Sequence, residues 1–451
     1  MIEKILQKLG IRLNEMQQAA YEAIATTDDQ VVILSPTGSG KTLAYLLPTI
    51  EKLDVQLDAL QMVVIVPGRE LALQSHNVLK NMGAGLRSMA VYGGRATMDE
   101  HRVIRSVRPQ VVFGTPGRLI DHLDKGNLVA DAVRIVVIDE FDKCLEMGFH
   151  EEMQTLLEKL PATARRILVS ATDAEEIPTF MTPATGHQRA VSRVDFREAS
   201  EQTPDRIKVY EVLSPDKDKL QTLKTLLLDR GSKSSIVFLN YRQSVERVAD
   251  FLRQEGFTVS AFHGGLDQRG REEALYKFSN ASANILVSTD LGSRGLDIPD
   301  VENVIHYHLP EGEDGYVHRV GRTARWDKHG QAFFILGPEE AIPDYVDADV
   351  ECYELPAELV EKVAAGDCLA IPQPQMATLY IGKGKKDKIS KGDIVGFLCK
   401  KGGLTAQDIG RIDVFDHYAY VAVSRTKAKG TIRQLQDEKI KGLKTVVEPI
   451  R

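Results

Sequence analysis

Apolar residues in this chain come in short unbroken runs separated by stretches with helical spacing. The first runs cover residues 31–34, 62–66, 111–113, 135–138 and 167–169. Runs this short, without polar alternation, predict strands buried on both faces, and the helical stretches between them predict the covering layers, so the expected fold is α/β with a parallel sheet. A second series follows at 207–212, 235–239, 258–261, 285–288, 304–306 and 332–335, with a helix expected over 244–255. The pattern lapses from about Ala174 to Arg206, where Pro178, Pro183 and Pro204 interrupt it, and the linker is expected near the end of that stretch. Beyond Ile371-Pro372-Gln373-Pro374 the texture changes to a small α+β unit with strands at 377–381, 408–413 and 418–423. Ser390 and Asp393 form a capping-box pattern that starts its helix. The predicted domains are 1–195, 206–350 and 374–446.

Two apolar runs end in chemistry. Residues 31–34 lead into Ser35-Pro36-Thr37-Gly38-Ser39-Gly40-Lys41-Thr42 and then a helical stretch, the order of a phosphate-binding loop. Pro36, Thr37, Gly38, Ser39 and Gly40 would wrap the phosphates, with backbone N–H groups from all but Pro36, Lys41 would neutralise the β and γ phosphates, and Thr42 would reach Mg2+. Ser35 takes a position where the strict pattern has glycine. Residues 135–138 run into Asp139-Glu140-Phe141-Asp142. Asp139 is expected to hold Mg2+ through its water shell and Glu140 to polarise the water that attacks ATP. The second sheet has no such loop but carries His318-Arg319-Val320-Gly321-Arg322-Thr323-Ala324-Arg325. Arginines at this spacing fit either a solvated helix face or fingers that make hydrolysis depend on domain closure.

Composition adds limits. With 43% hydrophobic and 27% charged residues, and no apolar run near the roughly 18 residues of a membrane span, no membrane insertion is expected. The amino terminus has charges within helical spacing, unlike a secretory signal, which predicts a cytoplasmic protein. Cys144, Cys352, Cys368 and Cys399 have no paired spacing and predict buried, reduced thiols. The net charge of −7 is unevenly divided: residues 373–451 carry 16 Lys and Arg against 8 Asp and Glu, a net of +8 that leaves −15 for the rest. A basic tail domain follows an acidic body.

The ordered motifs resemble those of DEAD-box ATP-dependent RNA helicases over nearly all of residues 1–340. Gln17 resembles the family's adenine-reading glutamine. Pro67-Gly68-Arg69-Glu70-Leu71-Ala72, Gly93-Gly94 and Thr115-Pro116-Gly117-Arg118 resemble its RNA-backbone motifs, and Ser170-Ala171-Thr172 the element that couples hydrolysis to strand separation. In the second half Asn240, then His263-Gly264-Gly265 with Gln268 and Arg271, then Ser288-Thr289-Asp290 through Arg294, Gly295 and Asp297 continue the series. The resemblance implies two tandem RecA-like domains. It implies catalytic Lys41, Asp139, Glu140, Arg322 and Arg325, with Asp297 at the ribose and Asp142, Ser170 and Thr172 as coupling residues. RNA contacts are implied at Pro67, Arg69, Gly94, Thr115, Arg118, Asn240, Gly264, Gln268, Arg271, Thr289, Arg294 and Gly295. Phe141 stands where the family usually has alanine, so its ring is expected to find space behind the magnesium site.

Leu379-Tyr380-Ile381 and His417-Tyr418-Ala419-Tyr420-Val421 are similar to the two strand signatures of an RRM-like fold, with Tyr380, Tyr418 and Tyr420 as base-stacking candidates beside Lys383, Lys385 and Lys386. This resembles the small domain of helicases that act on ribosomal RNA in large-subunit assembly. The +8 module is expected to tether the core to its RNA. The leading expectation is a monomeric RNA-stimulated ATPase that separates short duplexes. An ATP-gated RNA clamp or assembly factor is the alternative, and a DNA-translocating motor fits the motifs poorly.

Overall fold

The apolar runs fold into two seven-stranded parallel sheets and a small antiparallel one. The computed structural model describes the chain except for residues 1, 37, 94–96, 147–149, 173–177, 179–189, 198–205, 291–300, 324–328 and 451. It forms two compact units, the first of residues 1–204 and the second of most of the remainder.

In the first unit the strands are β1 (Gln30–Leu34), β2 (Met62–Ile65), β3 (Ser88–Val91), β4 (Val111–Gly114), β5 (Ile135–Asp139), β6 (Arg165–Ser170) and β7 (Val191–Asp195). They lie in the order β3-β4-β2-β5-β6-β1-β7, with every neighbouring pair parallel. The helices are α1 (Ile2–Leu9), α2 (Glu15–Thr26), α3 (Lys41–Ile50), α4 (Arg69–Met82), α5 (Thr97–Val107), α6 (Pro116–Asp124), α7 (Phe141–Glu146) and α8 (His150–Glu158). This order sets β6 between β1 and β5. Three chain segments with candidate chemistry therefore leave the same edge side by side, the usual place for a ligand in a parallel sheet.

Strand periodicity then sorts the side chains. Val31 and Ile33 of β1 and Ile135 and Val137 of β5 share one core with Met16, Ala20, Ile24 and Tyr45. Val32, Leu34, Val136 and Ile138 point the other way, toward Met153, Leu156 and Leu168. Asp139 continues the first face, the side of α3. The next residue, Glu140, has φ 52°, a left-handed turn, and Phe141 follows it into the opposite core at 0% exposure. The ring therefore packs on the opposite side of the sheet from the Asp139 carboxylate.

In the second unit β8 (Ile207–Leu213), β9 (Ser235–Leu239), β10 (Val259–Phe262), β11 (Ile285–Thr289), β12 (Asn303–His306), β13 (Gly330–Leu336) and β14 (Val350–Cys352) form a parallel sheet ordered β10-β11-β9-β12-β13-β8-β14. Its helices include α9 (Leu220–Arg230), α10 (Arg242–Gln254) and α11 (Gln268–Ser279). The carboxy-terminal part has β15 (Met376–Ile381), β16 (Ile409–Val414), β17 (Ala419–Ser424), the short pair β18 (Lys439–Ile440) and β19 (Leu443–Lys444), and β20 (Val447–Pro449). The antiparallel order is β16-β17-β15-β20. One face buries Leu379, Ile381, Val421 and Val423 against Ile394, Phe397, Leu398 and Ala428 of two helices. The predicted capping box is present: Ser390 N–H donates to Asp393 Oδ2 at 2.8 Å, and Asp393 N–H to Ser390 Oγ at 3.3 Å.

Among the described residues no helix is long and apolar enough to cross a membrane. The four cysteines are free, but Cys352 and Cys368 are exposed, so only Cys144 fits the expectation of a buried thiol.

Because Phe141 fills a closed core, restoring the family's alanine with Phe141→Ala should cost about 3–5 kcal/mol of stability, as large aromatic truncations do. Urea denaturation measures this, and a loss below about 1 kcal/mol would show that the ring is not packed as described.

Candidate functional site

The phosphate loop is held from two sides. Gly40 adopts φ 88° before α3, and a Cβ there would come within 2.3 Å of Gln17 Nε2, so this position needs glycine for both reasons. Gln17 is 3% exposed and donates to Gly40 O at 3.2 Å, while its own Oε1 accepts from Asn14 N–H at 3.1 Å. Asn14 caps α2 and donates from its side chain to Ser39 O at 3.0 Å. Gln17, the residue expected to read adenine, thus also braces the loop. Lys41 Nζ donates to Ser35 O at 2.6 Å and Pro36 O at 2.9 Å, curling the loop around the ammonium. Ser35, 1% exposed, continues the sheet through Ser170 O, which explains why a small residue suffices there. Thr37 lies outside the described residues.

Asp139 ends β5 at 3% exposure and accepts from the Tyr45 hydroxyl at 3.0 Å. Burial pushes its carboxyl up to about 6, against the opposing pull of Lys41 and the Tyr45 hydrogen bond. Thr42 lies close to the same hydroxyl, so Tyr45 packs between the two residues expected at the metal. Tyr45 went unnoticed in the sequence, although it follows Thr42 by three residues in a helix and so shares its face. A buried carboxylate in a site hostile to its charge, beside a threonine hydroxyl, fits a hard divalent cation. The carbonyl of Glu140 accepts from Lys143 and Cys144 N–H at 3.0 and 3.1 Å, starting α7 and leaving its side chain half exposed at the strand edge.

The residues expected to couple hydrolysis to strand separation meet. Thr172 donates its hydroxyl to Asp142 Oδ2, and Thr172 N–H approaches Ser170 Oγ at 3.3 Å. Lys143 Nζ lies 3.4 Å from the same Asp142 oxygen, with both side chains nearly buried, a partner the sequence did not announce. The carboxylate after Phe141 is thus joined to the Ser-Ala-Thr element despite the aromatic insertion.

Among the expected RNA residues of the first unit, Arg118 is held at 2.7 Å by Glu100, which also meets His122 Nε2 at 2.9 Å. Burial raises the Glu100 carboxyl, but His122 and Arg118 together outweigh it and keep the pKa below the ordinary value. Thr115 stands at the N-cap position of α6 without a side-chain cap hydrogen bond, and Arg69 starts α4 with its guanidinium over Gly93. Pro67 directly follows the strand extension at Val66. Gly94 lies outside the described residues.

In the second unit Asn240 accepts from Arg319 Nη2 at 2.8 Å, and Arg319, 1% exposed, grips Asp290 at 2.6 and 2.7 Å. The first of the three arginines is therefore a structural clamp. Arg322 is 2% exposed, so the reading of a solvated helix face fails for both. Arg271 donates to Gly264 O at 2.9 Å, and Thr289 is buried at the end of β11. Arg294, Gly295, Asp297, Arg325 and the Gln268 side chain lie outside the described residues. In the small domain Lys385 and Lys386 are exposed and Lys383 half exposed, whereas Tyr380 and Tyr418 are half buried. Tyr420 is 0% exposed, which removes it as a stacking platform in this structure.

Residues 14–180 match the DEAD/DEAH box helicase model, 218–327 the helicase conserved C-terminal domain and 378–449 the DbpA RNA binding domain. The ATP-dependent RNA helicase DbpA of Escherichia coli is 35% identical over 441 residues, 97% of this chain and 94% of that protein. The chain belongs to the DEAD-box RNA helicase family. The Bacillus subtilis ATP-dependent RNA helicase DbpA is 29% identical over 463 residues, 98% of this chain and 95% of that protein. A solved DEAD-box helicase with bound single-stranded RNA and UDP-BeF has a TM-score of 0.68 at 25% identity, covering 82% of this chain and 81% of that one. This DEAD-box protein is an ATP-dependent RNA helicase of the DbpA type, an RNA-stimulated ATPase that binds ATP and RNA.

The raised Asp139 carboxyl makes a pH prediction for the metal-free protein. Its folded pKa lies above the unfolded value, so the folded state holds the extra proton between about pH 4 and 6 and loses that advantage as pH rises. Asp139→Asn should therefore stabilise metal-free protein by about 2–3 kcal/mol at pH 8 and by little at pH 4, read by urea denaturation at both pH values. Equal effects at the two pH values would contradict a raised carboxyl.

Proposed function

We propose that this ATPase hydrolyses ATP as its two core domains close and thereby separates short RNA duplexes, with structured ribosomal RNA in large-subunit assembly as its substrate. The observation that carries the coupling is the hydrogen bond between Asp142 and Thr172. It joins the catalytic strand end to the Ser-Ala-Thr element, so a change at the γ phosphate moves both.

In this reading Lys41 and the loop amides hold the phosphates, and Glu140 takes the proton from the attacking water. Thr42 and Asp139 would hold Mg2+, which when bound neutralises charge on the β and γ phosphates. Arg322 and Arg325 supply the finger charges on closure. Loop amides and small residues at the RNA motifs favour backbone contacts with little base reading, leaving selection to the basic small domain. The role in ribosomal RNA is supported by the DbpA relatives and the +8 tail.

The Phe141 ring packs on the far face of the sheet and Gln17 supports the loop, which favours a working ATPase over an ATP-gated clamp.

Glu140→Gln should keep ATP binding within about twofold, lower turnover at least 100-fold and accumulate an ATP-dependent RNA complex. Lys41→Ala should instead weaken ATP binding itself about tenfold or more. Nucleotide titration beside single-turnover hydrolysis distinguishes them, and unchanged turnover in Glu140→Gln would remove the assigned base.

A further inference from the structure

Arg118, Glu100 and His122 belong to a longer chain of side chains in the first unit. Arg118 and His122 stand four residues apart on α6, so one face of that helix carries both toward Glu100 of α5. A single carboxylate oxygen serves the two: Glu100 Oε2 accepts from Arg118 Nε at 2.7 Å and from His122 Nε2 at 2.9 Å. The chain continues behind the ring. His122 Nδ1 lies 3.4 Å from the side-chain nitrogen of Asn127, and the same Asn127 Nδ2 donates to His101 Nε2 at 2.6 Å. Asn127 is set in turn by its backbone N–H, which donates to His122 O at 2.9 Å.

This geometry assigns the protons. An amide nitrogen facing two rings donates to both, so His101 Nε2 and His122 Nδ1 are acceptors and the His122 ring proton lies on Nε2, toward Glu100. Glu100 is 3% exposed, His122 0% and the Arg118 side chain 12%, so water does not compete for these bonds. The pairing of Arg118 is also unusual. A carboxylate that only neutralised a guanidinium would take it as a two-pronged fork, whereas Glu100 meets Nε through Oε2 and leaves its buried Oε1 without a hydrogen-bond partner. The second donor, His122, holds the carboxylate in that one-bond position.

We propose that His122, oriented by Asn127 and His101, is a positioning residue for RNA binding: it keeps Glu100 from closing a fork on Arg118, so that the Nη groups of Arg118 serve a phosphate of the RNA strand. This rests on the reading of Arg118 as an RNA-backbone contact. Without the His122 donor the carboxylate rotates into the fork, and the phosphate must displace it to bind.

Full-length protein with a non-hydrolysable ATP analogue and a short oligouridylate tests this by fluorescence anisotropy over a salt series. Arg118→Ala should weaken binding about tenfold and lower the salt slope by about one. His122→Leu should weaken it about fivefold and raise the RNA KM of ATP turnover while kcat holds within about twofold, and His122→Gln, whose amide N–H can stand in for Nε2–H, should recover most of the loss. Asn127→Ala, which leaves the buried ring in place, should cost about threefold. The double variant Arg118→Ala with His122→Leu should bind no more weakly than Arg118→Ala alone. Nitrogen NMR of the unmodified protein should show the His122 proton on Nε2. Additive losses in the double variant, a His122 proton on Nδ1, or full RNA affinity in both His122→Leu and Asn127→Ala beside a weakened Arg118→Ala would each overturn the positioning role. Unchanged affinity and salt slope in Arg118→Ala would instead sink the underlying reading of Arg118, and the inference with it.

Discussion

The site depends on a single reversal at the end of β5. Alternation along the strand commits Asp139 to the face of α3, and the left-handed turn at Glu140 then swings the chain so that Phe141 enters the opposite core. Three neighbours thus do three different jobs. Asp139 is forced beside Tyr45 and Thr42 at a cost in carboxylate solvation, Glu140 is left at the open edge, and Phe141 anchors the turn. Backbone strain of the order of 1–3 kcal/mol at a non-glycine left-handed residue persists only where packing over-determines it, and a fully buried phenylalanine next door supplies that packing. Phe141, standing where the family usually has alanine, thus fixes the turn after β5 from the opposite core.

The order β5-β6-β1 converts this local device into a coupled one. Ser170 at the end of β6 emerges between the phosphate loop and the carboxylates, so Thr172 two residues later can reach Asp142. Lys143 beneath the pair compensates a buried carboxylate that would otherwise be costly. Similar economy holds at Arg118, where Glu100 and His122 fix the guanidinium from the core side.

The two parallel sheets were legible because strands buried on both faces leave unbroken apolar runs, and the phosphate loop was legible because its glycines have few other uses. β3 is only four residues with a serine at its start, β7 is an edge strand with exposed Val191, and β14 and β20 are three-residue edges; none leaves a run long enough to stand out. Tyr45, Lys143 and Glu100 were missed for another reason. Their roles come from contacts across the fold, and only Tyr45, through its helical spacing from Thr42, carried a local signal. The tyrosines of the small domain show the limit most clearly. Sequence places Tyr380 and Tyr420 on the strands the structure shows, with Tyr418 just ahead of β17 rather than within it, but whether their face meets RNA or α11 is decided by a helix more than a hundred residues away.

These elements make one account: an intact ATPase turn, a hydrogen-bonded link from it to the Ser-Ala-Thr element, and a basic carboxy-terminal domain. Its central claim is that hydrolysis drives duplex separation. RNA-stimulated ATP turnover measured beside displacement of a short RNA duplex, on the same full-length preparation, tests this most directly. The account predicts displacement that requires ATP and falls steeply as the duplex lengthens, whereas brisk RNA-stimulated turnover with no strand released at any length would contradict it.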